Sequence, residues 1–200
     1  MKGLYHRRKV ALALVETFGG SLPNTKFQKL LFLYTQTQLE KSYHFVPYKF
    51  GCFSFQSYQD RGALIASGLL ENESQNWVLS IKHQGYLKTL NTEERKQLLV
   101  LKNQFQNISQ KDLIKHVYLK YPYFATKSEI ASQILTEEEM KLVRSTYPRN
   151  SKQSFYTIGY EGKTIEQYIN QLLLAEIHMV CDVRKNPLSR KFGFSKNQLR

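Results

Sequence analysis

The sequence predicts a chain of mixed class, α+β passing into α/β, and three observations carry that prediction. Two helical stripes near the start meet at a Gly-Gly pair and are followed by a third helix and a hairpin pattern. A middle section is helical throughout, and the last part reads strand, helix, strand. The expected divisions are residues 1–90, a helical connecting region 91–146, and a final unit 154–200.

Residues 4–18 place Val10, Leu14 and Phe18 on one stripe beside Ala11 and Val15, and Gly19-Gly20 ends it. A second helix follows Pro23-Asn24, where Thr25 and Gln28 have capping-box spacing, and runs through Phe27, Leu30, Leu31 and Tyr34 toward Leu39. YHFVPYKFGCFSF, with Pro47 and Gly51, suits an irregular extended connection. A third helix is expected at about residues 56–67, stopped by Gly68. Leu69-Leu70 and Trp77-Val78-Leu79 then form a hairpin around the polar tip 71–76.

Three helices and a hairpin are the winged-helix order, so residues 1–90 are expected to form a winged-helix domain. The run Leu64-x-x-x-Gly68-Leu69-Leu70 resembles the helix end that leads into the wing of winged-helix regulators. KFQKLLFLYTQ and VPYKFGCFS are similar to the SocA-like antitoxin-associated family, which implies a protein-docking regulator. By extension of helix-turn-helix docking, the third helix would enter a DNA groove. Gln56, Gln59, Arg61 and, past the hairpin, Lys82 are the candidate nucleic-acid contacts, since Gln can read adenine and Arg guanine.

Residues 91–105 and 109–121 show helical periodicity through Leu98, Leu101 and Phe105, then Leu113, Val117 and Tyr121. Pro122 ends the second. Thr126 with Glu129 and Thr136 with Glu139 have the spacing of two further capping boxes. Tyr118, Tyr121, Tyr123 and Phe124 can stack on bases or close a core where helices meet. Residues 147–154 read as a polar linker.

In the final unit residues 154–159 and 178–183 read as strands, and Thr164 with Gln167 launches a helix whose apolar face carries Ile165, Tyr168, Ile169, Leu172 and Leu173. Together they would make a parallel βαβ crossover. Ligands of such sheets gather at the strand ends, which brings Gly159, Tyr160, Glu161 and Gly162 together with Asp182, Arg184 and Asn186. Gly162-Lys163-Thr164 has the ending of a nucleotide-binding P-loop. The first glycine of that motif would fall at position 157, where Thr157 stands. A helix start with anion affinity is the better reading.

TIGYEGKTIEQYINQL followed by VCDVRKNPLSRKFGFSK resembles the family catalogued as domain of unknown function 488, whose members carry a T-I-G-Y-E-G opening and a D-V-R-x-x-P-x-S-R-x-x-G-F-S segment. The likeness implies a Rossmann-like α/β domain with an Asp-Arg pair at a strand end. Two strands and one helix cannot bury a parallel sheet on both faces, so the unit is expected to be incomplete.

On their own chemistry, Gly159 and Gly162 permit close backbone approach, and Thr164 opens a helix whose free amides favour an anion. Lys163, Arg190 and Lys191 add cations for phosphate. Asp182, Arg184 and Glu161 are the candidate catalytic residues, a carboxylate orienting water or acting as base. The same residues have a structural reading, in which Asp182 and Arg184 pair with each other and Lys163 is a solvated charge.

Across 200 residues the formal charge is +13 and aromatic residues make up 13%. Such a field attracts polyanions, and nucleic acid is the expected partner. A phosphate-bearing ligand, a protein partner or a homodimer are the others. No apolar run nears the about 20 residues of a membrane span, so no membrane partner is expected. Two cysteines, Cys52 and Cys181, fit a reducing cytoplasm of bacterial type. Five scattered histidines offer no metal spacing, so no metal is expected, and the cofactor stays open. Three functions are therefore carried forward: a nucleic-acid-associated protein, an enzyme acting on nucleic acid or nucleotides, and a protein-docking regulator.

Overall fold

A computed structural model describes residues 3–81, 85–148 and 154–199. The chain is mixed α+β, with helices dominant and two small two-stranded antiparallel sheets. Helix α1 (His6–Thr17) ends where Gly19 and Gly20 both take positive φ, 95° and 84°, a backbone that L side chains rarely adopt. That turn delivers a strand absent from the sequence reading, β1 (Ser21–Pro23), directly into α2 (Asn24–Thr35).

α2 is the axis of the main core. Every residue from Phe27 to Thr35 is buried, including Gln28 and Lys29, and a helix covered on all sides must be surrounded by other elements. α1, α4 (Thr92–Phe105) and α5 (Gln110–Lys120) pack around it. The segment expected to be irregular is a hairpin, β2 (Val46–Tyr48) with β3 (Gly51–Phe53), paired Val46↔Phe53, Pro47↔Cys52 and Tyr48↔Gly51. Pro47, which lacks an N–H, is tolerated because a two-stranded ribbon has only edges. Lys29 fastens this hairpin to α2 by donating from Nζ to the Cys52 carbonyl at 3.0 Å, and burial lowers its pKa.

Helix α3 (Phe55–Ala66) stands where the third helix is expected, N-capped by the Ser54 hydroxyl, which accepts from the Ser57 amide. After it, Leu70 bridges Leu79, and β4 (Asn76–Val78) pairs with β1 in the register Ser21↔Val78, Leu22↔Trp77, Pro23↔Asn76. Phe27 stacks on Trp77 with ring centroids 3.6 Å apart, joining this ribbon to α2. A second, smaller core gathers Ile114, Tyr118, Ala125, Ala131, Leu135 and Val143 around α6 (Ala131–Ile134) and α7 (Glu137–Ser145).

The final unit departs from expectation. α8 (Ile165–Leu174) forms behind its Thr164–Gln167 capping box and α9 (Lys196–Leu199) follows, but residues 154–159 and 178–183 join no ladder, so no βαβ sheet exists among the described residues. Strand propensity is a preference for a pleated, half-buried surface, and it is not realised without a neighbouring strand. Met179 and Val183 are accordingly left 86% and 88% exposed. α8 instead packs on α3 and β2. No helix among the described residues is long and apolar enough to cross a membrane.

Candidate anion-binding site

The turn before α8 is built for close approach. Gly162 has φ 71°, the Lys163 amide closes onto the Tyr160 carbonyl at 3.2 Å, and Lys163 Nζ reaches back to the Gly159 carbonyl at 2.9 Å. Thr164 is spent on its capping box: its hydroxyl accepts from the Gln167 amide while Gln167 Oε1 accepts from the Thr164 amide. Phe194 seats the following loop on α8, stacking on Tyr160 at 4.8 Å and meeting Tyr168 edge-on at 5.3 Å. Gly193, at φ 87°, passes so close to Ile165 that an added Cβ would lie 2.6 Å from it, which is why no side chain fits there.

Around Tyr160 the cations converge. The Arg184 guanidinium lies 5.2 Å from its ring centroid and Lys191 Nζ 5.9 Å, and Lys191 also donates to the Tyr160 carbonyl at 3.0 Å. Arg184 makes a fork with Asp182, Nε to Oδ1 at 2.7 Å and Nη2 to Oδ2 at 2.6 Å, and gives Nη1 to the Phe194 carbonyl at 2.8 Å. This pairing pulls the Asp182 pKa down to about 2 and pushes that of Arg184 up. A carboxylate so held is a poor proton acceptor, and the geometry makes Asp182 an orienting partner of Arg184 in place of a general base. Glu161 and Arg190 are exposed on the same loops, outside this cluster.

Next to the cluster lies an open groove of about 790 Å³. Tyr168, Ile169 and Leu172 of α8, Phe55 of α3 and Phe192 wall it, and Val180, Asp182 and Arg184 line it from the segment after α8. Lys196 and Gln198 also line it.

The residues expected to read DNA are placed differently. Tyr58 and Gln59 are exposed on α3. Arg61 is buried: its Nη2 donates to the Glu73 carbonyl and, at 2.9 Å, to that of Asn76, holding the hairpin tip to α3. This corrects its assignment as a base-reading side chain, because a guanidinium clamped by two carbonyls has no free fork to offer. The Gln56 backbone N–H is covered by Glu166 of α8, whose Oε1 accepts from it at 2.7 Å and from the Ser54 hydroxyl at 3.3 Å. Glu166 is fully buried, its pKa raised by burial, and its Oε2 has no hydrogen-bond partner among the described residues. Lys82 lies outside the described residues.

Sequence reasoning missed Glu166, Asn170, Tyr160 as the hub of the cations, and Lys196. One signal was present for the last two. Residues 184–200 hold Arg184, Lys185, Arg190, Lys191, Lys196 and Arg200 with no Asp or Glu, a basic run interleaved with Phe192 and Phe194. Asn170, which donates to the Phe45 carbonyl at 2.7 Å and accepts from the Tyr123 hydroxyl at 2.9 Å, had none. Among the described residues no cluster of three or more His, Cys, Asp or Glu side chains could hold a metal ion. No family model, curated protein or solved structure matches the chain.

Proposed function

We propose that this is a nucleic-acid-associated protein whose phosphate contacts are made by the cationic loop around Tyr160. The observation that carries the reading is the convergence of Arg184, Lys191 and Lys163 on the backbone and ring of residues 159–160, with Asp182 as the carboxylate bound into it. Cations held in place by carbonyls and an aromatic face have lost little further freedom when an anion arrives. The net charge of +13 supplies the long-range attraction. Within this reading the first 90 residues are a winged helix, supported by the β1–β4 pairing behind three helices. Its wing is a weak phosphate contact, since Glu71 and Glu73 are exposed at the tip.

Titration of a labelled oligonucleotide against salt tests this. Affinity should fall steeply as salt rises, and Lys163→Ala or Lys191→Ala should each weaken binding and flatten the log–log slope by about 0.7–0.9. Absence of binding at low salt would overturn it. A second reading, a protein-docking regulator, is favoured by the large apolar side chains exposed on the final unit, Phe155 at 95%, Val183 at 88% and Leu188 at 78%.

A further inference from the structure

We propose that the groove beside Tyr160 receives the base of an unpaired nucleotide while Lys196 in its lining and Lys191 on the adjoining loop hold the phosphates on either side of it. The inference rests on the nucleic-acid reading above and adds the class of strand. A volume of about 790 Å³ exceeds what one nucleotide needs and is an ordinary size for a ligand pocket. Its walls are flat or aliphatic: Phe55, Tyr168 and Phe192 contribute rings, Ile169 and Leu172 the rest. Such walls suit the faces of a heterocycle, and every base has two.

The polar lining comes from Asp182, Arg184, Lys196 and Gln198. Asp182 and Arg184 alternate with Val183, which turns 88% of its surface to solvent, so the carboxylate and guanidinium line the groove while Val183 does not. The Asp182 side chain is 33% exposed; its Oδ1 accepts from both the Arg184 amide, at 3.2 Å, and Nε, at 2.7 Å, while Oδ2 accepts from Nη2 at 2.6 Å and keeps a lone pair to accept from an exocyclic amine. Charge complementarity names the occupant. Lys196 lines the groove and Lys191 stands over the Phe194 ring on the adjoining loop, cations that a bare apolar peptide would not require and a phosphodiester would. A base stacked inside a duplex cannot enter a pocket, whereas an unpaired one can be splayed into it.

Fluorescence anisotropy on the full chain decides the matter with three probes of equal phosphate count: a base-bearing single strand, an abasic strand and a duplex. The expected result is that the base-bearing strand binds at least about fivefold more tightly than the abasic one, the stacking contribution of a base, and more tightly than the duplex. Leu172→Trp, which fills the groove, should abolish that preference. Equal binding of base-bearing and abasic strands overturns the groove assignment while the phosphate reading stands, and so does a duplex that binds as well as the single strand. Failure of all three probes overturns both.

Discussion

The Glu166 carboxylate accepts the Gln56 amide at 2.7 Å, so the first turn of α3 is closed by a residue 110 positions away in the chain. The amides that start a helix favour an anion, and the one they receive here comes from α8. Its second oxygen is buried without a partner among the described residues, and burial raises the pKa above the ordinary 4.5. A raised carboxyl pKa means that the folded state prefers the protonated form. The stabilisation is complete below the ordinary value and is lost as pH rises through the folded value.

Glu166→Gln imitates the protonated form at every pH. The thermal midpoint of the wild type should therefore match or exceed that of the variant near pH 4.5 and fall relative to it as pH rises. Asp182 works in the opposite direction: its lowered pKa gives stability that is present above 3.8 and lost toward 2. Calorimetry kept above about pH 4 separates the two. A wild-type-minus-variant difference that does not vary with pH would show that Glu166 titrates normally.

Arg61 should behave as a stability residue. Arg61→Ala removes two bonds to the carbonyls of Glu73 and Asn76 and leaves those acceptors short of a partner. Bonds to charged groups are worth about 1.5–3 kcal/mol, so denaturant unfolding should show a loss of that order. Hydrogen exchange at residues 71–76 should accelerate, while oligonucleotide affinity stays within about twofold once folded protein is compared.

Asp60 is the polar centre of the first core. It is fully buried, accepts from Arg7 Nε at 2.6 Å, Arg8 Nε at 2.7 Å and the Tyr43 hydroxyl at 3.1 Å, and thereby ties α1 to α3. Asp60→Ala leaves the guanidinium groups without their carboxylate and should cost about 3–5 kcal/mol. Urea titration measures it, and a loss below about 1 kcal/mol would mean that solvent replaces the carboxylate freely.

Gly193→Ala tests the seating of the cationic loop. The new Cβ would sit 2.6 Å from Ile165 at a φ of 87°, so contact and backbone conformation both oppose it. The variant should lose about 1–3 kcal/mol of local stability, read as faster exchange in residues 184–196, with the N-terminal helices unaffected.

Local chemistry was the legible part of this sequence. The capping boxes at Thr136–Glu139 and Thr164–Gln167 are present as spaced, because a side chain need reach only three residues ahead. Thr25–Gln28 has the same spacing and fails. Its helix begins at Asn24 behind Pro23, and Gln28 is drawn inward to the Ser57 hydroxyl at 2.9 Å and the Ser54 amide at 3.0 Å. Long-range partners decided that case, as they decided Arg61 and Glu166.

Strand composition failed for a related reason. Val180 and Val183 suit a sheet, but a ladder needs a second strand in register, and none stands beside residues 178–183 among the described residues. The site was half legible. Lys163, Arg184 and Lys191 were named from their residue types and do converge, whereas Tyr160 at their centre was seen only as a loop neighbour.

The chain carries two thiols of opposite accessibility. Cys52 is enclosed within β3, where burial lifts its pKa to about 11, and Cys181 is open to solvent beside Asp182. A maleimide dye added to the native protein will therefore settle on Cys181 alone, placing a fluorophore next to the groove without any engineering. Quenching of that dye offers a direct optical record of whatever enters.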